Sequence, residues 1–161
     1  LIVIFGYILI RFRRWQFGLA AVIALFHDTL TVFAAFAIAR VFGYSYEIDQ
    51  VFIAAILTII GYSINDTVVI FDRIREMQRI NPKGTFVEVA NKSINDTLSR
   101  TLITSFTTLL AVFILFLWGG EVLRGFSFAL LIGIIFGSYS SICIATPLIL
   151  DFSKKYLKTK K

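Results

Sequence analysis

Gly61-Tyr62-Ser63-Ile64-Asn65-Asp66-Thr67-Val68-Val69-Ile70-Phe71-Asp72-Arg73-Ile74-Arg75-Glu76 begins inside an apolar run and ends in alternating charge. Asp66 lies on the apolar side of that boundary. Residues 51–71 are long enough to span a bilayer, because roughly 20 helical residues cover the ~30 Å hydrocarbon layer. An aspartate at the centre of such a helix costs about 2.5–3.5 kcal/mol on insertion scales. Asp66 is therefore expected to face protein or a water-filled interior, not lipid. It precedes Arg73 by about 10 Å of helix, which places it in the membrane half nearer the charged end. Tyr62 and Ser63 sit one turn earlier on its face, and Asn65 and Thr67 add polarity beside it.

The chain around this stretch is that of a membrane protein. Its 161 residues are 58% hydrophobic and 16% charged, with a mean hydropathy of +0.83. A soluble domain carries about 25% charged residues. The composition points to an all-α polytopic fold and shows no separate soluble domain. A net charge of +6 raises the question of nucleic acid, but the basic residues cluster at segment ends. Membrane orientation explains that better, so no nucleic-acid partner is expected.

Five apolar segments follow in order. Residues 1–10 reach only about 15 Å as a helix and are expected to be the remnant of a truncated span, with more protein before Leu1. Spans are expected over residues 17–42, 51–71, 101–118 and 126–150, the last bent or ended near Pro147. Residues 43–50 and 119–125 read as short connections. Residues 72–100 form the one extended polar connection. In it, Asn81-Pro82-Lys83-Gly84 reads as a turn. Beyond the turn, Phe86, Val89, Ala90, Ile94 and Leu98 predict an amphipathic helix at the membrane surface that leads into the next span. The basic tail, residues 154–161, is expected to fray.

Alternate connections place residues 11–16, 72–100 and 151–161 on one side, with 14 of the 16 Lys and Arg residues. Only Arg40 and Arg124 fall on the other side. The positive-inside rule puts the basic side in the cytoplasm, so Leu1 is expected outside and Lys161 inside.

Arg100 opens the fourth span from the basic side, where it can snorkel to the surface or reach inward toward Asp66. Such a pair is a physical route to proton uptake and release, because burial and a neighbouring cation act oppositely on a carboxylate. Thr101, Thr104, Ser105 and Thr108 share a face. They either line a wet interior or bond to their own helix backbone. Asp28, nearer the midplane of the second span, is a further candidate for polar support. Neighbouring His27 is expected to point elsewhere, since adjacent residues do not share a helix face. One histidine and one cysteine do not make a structural zinc site, and no nucleophile cluster or phosphate loop is visible, so neither a metal nor an enzymatic activity is expected. Cys143 reads as a core residue. Gly133-Ile134-Ile135-Phe136-Gly137, extended by Ala129 and Ser141, reads as a close helix–helix contact. Ser63-Ile64-Asn65-Asp66-Thr67 recurs as Ser93-Ile94-Asn95-Asp96-Thr97, an echo too short to establish a duplication.

The stretch from Gly61 to Glu76, together with Asn91 to Thr101, Thr104-Ser105 and Phe26-His27-Asp28, closely resembles the SecF side of the SecD/SecF family of protein-export membrane subunits. The resemblance covers nearly all of the chain, and the long first motif is specific. It implies an RND-type transmembrane bundle corresponding to family spans two to six, with the first span and a periplasmic domain absent. It implies a bacterial inner-membrane location and work alongside SecD, separate or fused, after the SecA motor and the SecYEG channel, on preprotein substrates. No cofactor is implied; protons are the coupling ion. By this resemblance Asp66 matches the proton-relay aspartate and Arg100 a functionally important arginine. The alternatives are a small-molecule proton antiporter of the RND type and a non-conducting scaffold of the translocase.

Overall fold

A computed structural model describes residues 1–12, 14–44, 46–82 and 84–159, with side chains described as far as Phe152. Arg13, Lys83, Lys160 and Lys161, which enter the charge count, lie outside the described residues, as does the Lys83 position of the expected turn. The described chain is helical throughout: α1 (Ile2–Phe12), α2 (Trp15–Val41), α3 (Gln50–Ile80), α4 (Phe86–Trp118), α5 (Gly120–Ser140), a π-helical turn (Ser141–Ala145) and α6 (Thr146–Thr159). Four helical stretches are long and apolar enough to cross a membrane, the fourth running from Gly120 through the π turn to Phe152. The eleven-residue α1 is apolar but short. Leu102, Ile103, Phe106, Leu110, Phe113, Ile114 and Leu117 of α4 point outward, as a lipid-facing helix requires.

Local chemistry sets the helix ends. Asp49 caps α3 by accepting from the Phe52 amide at 2.9 Å. Thr85 and Glu88 form a reciprocal capping box at the start of α4, at 3.3 and 3.1 Å, satisfying amides that the helix leaves free. Between α4 and α5 the chain reverses at Gly119-Gly120 alone. Gly120 has φ +77°, a left-handed conformation open to glycine without strain. The expected seven-residue connection is thus mostly helix.

The polar connection differs more. At about 1.5 Å per residue, α3 (31 residues) and α4 (33 residues) are about 46 and 50 Å long, well beyond the hydrocarbon layer. The amphipathic segment leads without a break into the next span, as expected. It is the first half of α4, and Val89 and Ala90 are buried against Ile70, Ile74 and Met77 of α3, with Phe86 and Ile94 packed alongside. Its apolar face found a helix to cover it. Arg73 fastens this overhang, donating to Asp96 at 2.6 Å and to Glu76 at 2.7 Å. Arg11 of α1 reaches Asp72 at 2.9 Å. Helix α6 is drawn out to Thr159.

Helix α5 packs against α2, α3 and α4, and α3 packs against α2, α4 and α5. Two apolar cores result. Phe12, Phe17 and Phe71 meet near the basic end, with Ala20, Ala21, Ala24, Ala145 and Ile149. Val32, Phe36, Phe52, Ile59, Val112 and Ile134 fill the opposite end. The expected contact at Gly133 is present: a Cβ there would overlap Ile59, 2.7 Å from its Cγ2. Close backbone approach is what small residues supply in membranes, where lipid is as apolar as the helices themselves.

Pro147 neither ends nor sharply stops the helix. It lacks the amide that would bond to Cys143, and its ring crowds that carbonyl. The turn before it is widened into a π turn, and the Thr146 hydroxyl donates to the Ser141 carbonyl at 3.0 Å. Cys143 in this turn is exposed, not in the core.

Gly133→Leu is expected to destabilise the α3–α5 contact by about 1–3 kcal/mol through overpacking. Gly61→Ala, with open space at its Cβ, is expected to melt at or slightly above the parent temperature. Thermal unfolding of the purified chain in lipid nanodiscs checks both; equal melting of the two variants contradicts the packing.

Candidate proton site

Between the two apolar cores lies a polar layer. It is built from one face of α3 (Ser63, Asp66, Thr67), Asp28 of α2, Ser105 of α4, and Ser138, Ser140 and Ser141 around the end of α5. Helical spacing places Ser63, Asp66 and Thr67 on one face, and all three are buried. The π turn and the adjoining end of α5 carry the serines that meet this face.

Asp28 is 1% exposed and fully engaged. Its Oδ2 accepts from Ser63 at 2.6 Å and from Ser140 at 2.8 Å. Its Oδ1 lies 3.2 Å from His27 Nδ1. The expectation that His27 points elsewhere is therefore corrected: a bent approach along the helix surface brings the ring to its neighbour while the side chain stays 39% exposed. Gly137 makes room for the junction; a Cβ there would sit 3.1 Å from Ser63 Cβ and 3.7 Å from Asp28 Oδ2. One carboxylate thus ties α2, α3 and α5 together.

Asp66, one turn further along α3, is treated differently. It is 4% exposed, and its Oδ2 has no hydrogen-bond partner among the described residues. Ser138 stands beside it, and Arg100 is near enough for its charge to act on it. Arg100 itself is exposed, and the two form no ion pair within 4.0 Å among the described residues. A buried carboxylate oxygen without a donor is costly when charged.

The other expected supports divide. Tyr62 donates to Ser105 at 3.4 Å, and Ser105 meets Ser138 at 2.6 Å. Thr67 meets Ser141 at 2.8 Å. Thr101 is buried. Thr104 is exposed and bonds to the Arg100 carbonyl at 2.9 Å, and Thr108 bonds to the Thr104 carbonyl at 2.8 Å. Asn65 is exposed, away from the layer. The hydroxyl stripe of α4 is thus backbone-bonded for most of its length and reaches across only at Ser105.

Sequence reading missed Ser138 and Ser140. The signal was Ser138-Tyr139-Ser140-Ser141, a polar run deep in an apolar span, of which only Ser141 was noticed, and only for its size. The repeated five-residue motif also resolves: Asp66 is buried in α3, whereas Asp96 of α4 pairs with Arg73 outside the core. Among the described residues no cluster of three metal-ligating side chains occurs.

The two carboxylates should respond oppositely to substitution. Asp28→Ala is expected to cost about 2–4 kcal/mol, since it removes the acceptor shared by Ser63 and Ser140 and leaves the buried Ser63 hydroxyl without its partner. Asp66→Asn is expected to leave stability unchanged or raise it, because it removes a buried carboxylate one of whose oxygens has no donor among the described residues. Denaturation of both variants in the same lipid checks this; a D66N loss equal to that of D28A contradicts the division.

The family described as protein export membrane protein SecD/SecF, C-terminal, matches residues 1–155. A relative from Rhodothermus marinus, protein translocase subunit SecF, is 60% identical over 152 residues, covering 94% of this chain and 49% of the relative. The crystal structure of SecDF in its super-membrane-facing form superposes with a TM-score of 0.88 at 41% identity, over 98% of this chain and 21% of that one. The Thermus thermophilus SecDF structure, described as a translocon-associated membrane protein, gives 0.81 at 43% identity, over 93% and 20%. The chain spans about half the length of the Rhodothermus relative. With a matching family over nearly its whole length and the same polytopic helical fold, the chain belongs to the SecD/SecF family of protein-export membrane proteins.

Proposed function

We propose that this chain acts as the SecF-like part of a Sec translocase, working with SecD in the bacterial inner membrane to couple proton flow to preprotein export. The observation that carries the reading is Asp66: a buried carboxylate with one oxygen lacking a donor, on a helix whose neighbouring carboxylate is fully bonded. Family membership supplies the biological setting. SecA and SecYEG act earlier on the same preprotein in this reading.

Asp66 takes a proton from the outer side and releases it toward the basic end, where Arg100 waits. Neutral Asp66 fits its donor-poor pocket. Ionised Asp66 is drawn to Arg100, which biases the packing of α3 against α4. One charge crossing 100 mV supplies about 2.3 kcal/mol for such a step. Asp28, Ser63 and Ser140 hold α3 to α2 and α5, so that the change is local to Asp66 and the helices beyond it. The orientation places the basic overhang of α3 and α4 in the cytoplasm.

In a reconstituted translocase, Asp66→Asn is expected to abolish proton flux and its stimulation of preprotein translocation, and Arg100→Met to reduce both at least tenfold, while assembly is retained. Wild-type flux in well-assembled D66N overturns the assignment. A single cysteine at position 85, in a Cys143→Ala background, is expected to react with an impermeant maleimide only from the cytoplasmic side. Labelling from outside reverses the orientation.

A further inference from the structure

The α1–α2 turn and the basic end of α3 enclose a second cavity, of about 360 Å³, lined by Phe12, Arg14, Phe17, Arg75, Gln78 and Arg79. Phe12 and Phe17 are buried and stacked, with ring centroids 5.3 Å apart. They form an apolar floor. Three guanidinium groups and one amide make up the rest. Two neighbouring arginines are neutralised, Arg11 by Asp72 and Arg73 by Asp96 and Glu76. Arg14, Arg75 and Arg79 have no carboxylate within 4.0 Å among the described residues. Arg75 is steadied by donating to the Arg11 carbonyl at 3.2 Å. Three arginines without a carboxylate partner among the described residues therefore line one cavity over an aromatic floor.

Its depth identifies what completes it. Trp15 adjoins Arg14, is 47% exposed and lies 6.1 Å from Phe152. A half-exposed tryptophan between an apolar helix and an arginine marks the headgroup level of a bilayer. We propose that the cavity binds the phosphate of an anionic phospholipid from the leaflet at the basic end. Guanidinium groups take phosphate oxygens in pairs, and basic pockets between membrane helices hold such headgroups. Gln78 donates to a headgroup hydroxyl, and the Phe12–Phe17 floor receives the glycerol. A phosphate on a polymer in the aqueous phase would have to enter the headgroup layer to reach these groups, which disfavours nucleic acid.

Native mass spectrometry of the intact chain, titrated with phosphatidylglycerol or phosphatidylcholine, tests this. The parent is expected to retain phosphatidylglycerol in preference to phosphatidylcholine. The triple variant Arg14→Gln, Arg75→Gln, Arg79→Gln is expected to lose on the order of a hundredfold in phosphatidylglycerol affinity, at about fivefold per arginine. Arg40→Gln with Arg124→Gln, at the opposite end, is expected to bind like the parent. Should the triple variant fail to fold, Arg79→Gln alone decides, with a drop of about fivefold expected. Unchanged binding in the arginine variants overturns the proposal. So does equal retention of phosphatidylcholine, or full displacement of the lipid by equimolar inorganic phosphate or oligonucleotide.

Discussion

Burying a carboxylate inside an apolar helix bundle is the constraint on which this structure turns. The bundle meets it twice and in two ways. Asp28 accepts from Ser63 and Ser140, meets the His27 ring on its own helix, and becomes a joint between α2, α3 and α5. Asp66, one turn along α3 from Ser63, is left with an oxygen that no side chain or amide satisfies among the described residues. A fully satisfied buried network fixes geometry, whereas an unpaired polar atom in the same low dielectric is costly. The same polar layer thus holds a fixed point and a responsive one.

Packing around the layer follows from this arrangement. Glycines at 133 and 137 bring α5 close to α3, so that Ser140 reaches Asp28 and Ser141 reaches Thr67. The π turn before Pro147 carries Ser141, and such turns recur at functional positions in helices. Apolar cores above and below the layer exclude competing polar partners. Beyond the layer, α3 and α4 continue as a paired overhang fastened by Arg73. Asp66 therefore lies on one of a pair of helices longer than the hydrocarbon layer is thick.

Much of this was legible in the residues. Hydropathy and segment length located the helices because a bilayer imposes a length on anything that crosses it. Asp66 stood out because a charge in that position needs a reason. The resemblance to the SecD/SecF family rested on a motif of sixteen residues and agrees with the fold. What was not legible depended on partners distant in sequence. The amphipathic pattern of residues 86–98 identifies a buried face but not what buries it, and α3 covers it instead of lipid headgroups. Cys143 looked like core by composition, yet its place in the π turn turns it outward. Ser138 and Ser140 were overlooked because hydroxyls in apolar helices usually bond to their own backbone, as Thr104, Thr107 and Thr108 do. His27 was misjudged from helix geometry alone, which ignores the reach of its ring.

The central claim is that Asp66 changes its protonation while Asp28 does not. Infrared difference spectroscopy of the reconstituted chain, stepped between about pH 6 and pH 9, where exposed carboxylates stay ionised, reads a buried protonated carboxyl group directly through its carbonyl stretch. The account predicts one such band, present in the parent and in Asp28→Asn and absent in Asp66→Asn. A band that survives in D66N, or that vanishes only in D28N, contradicts it.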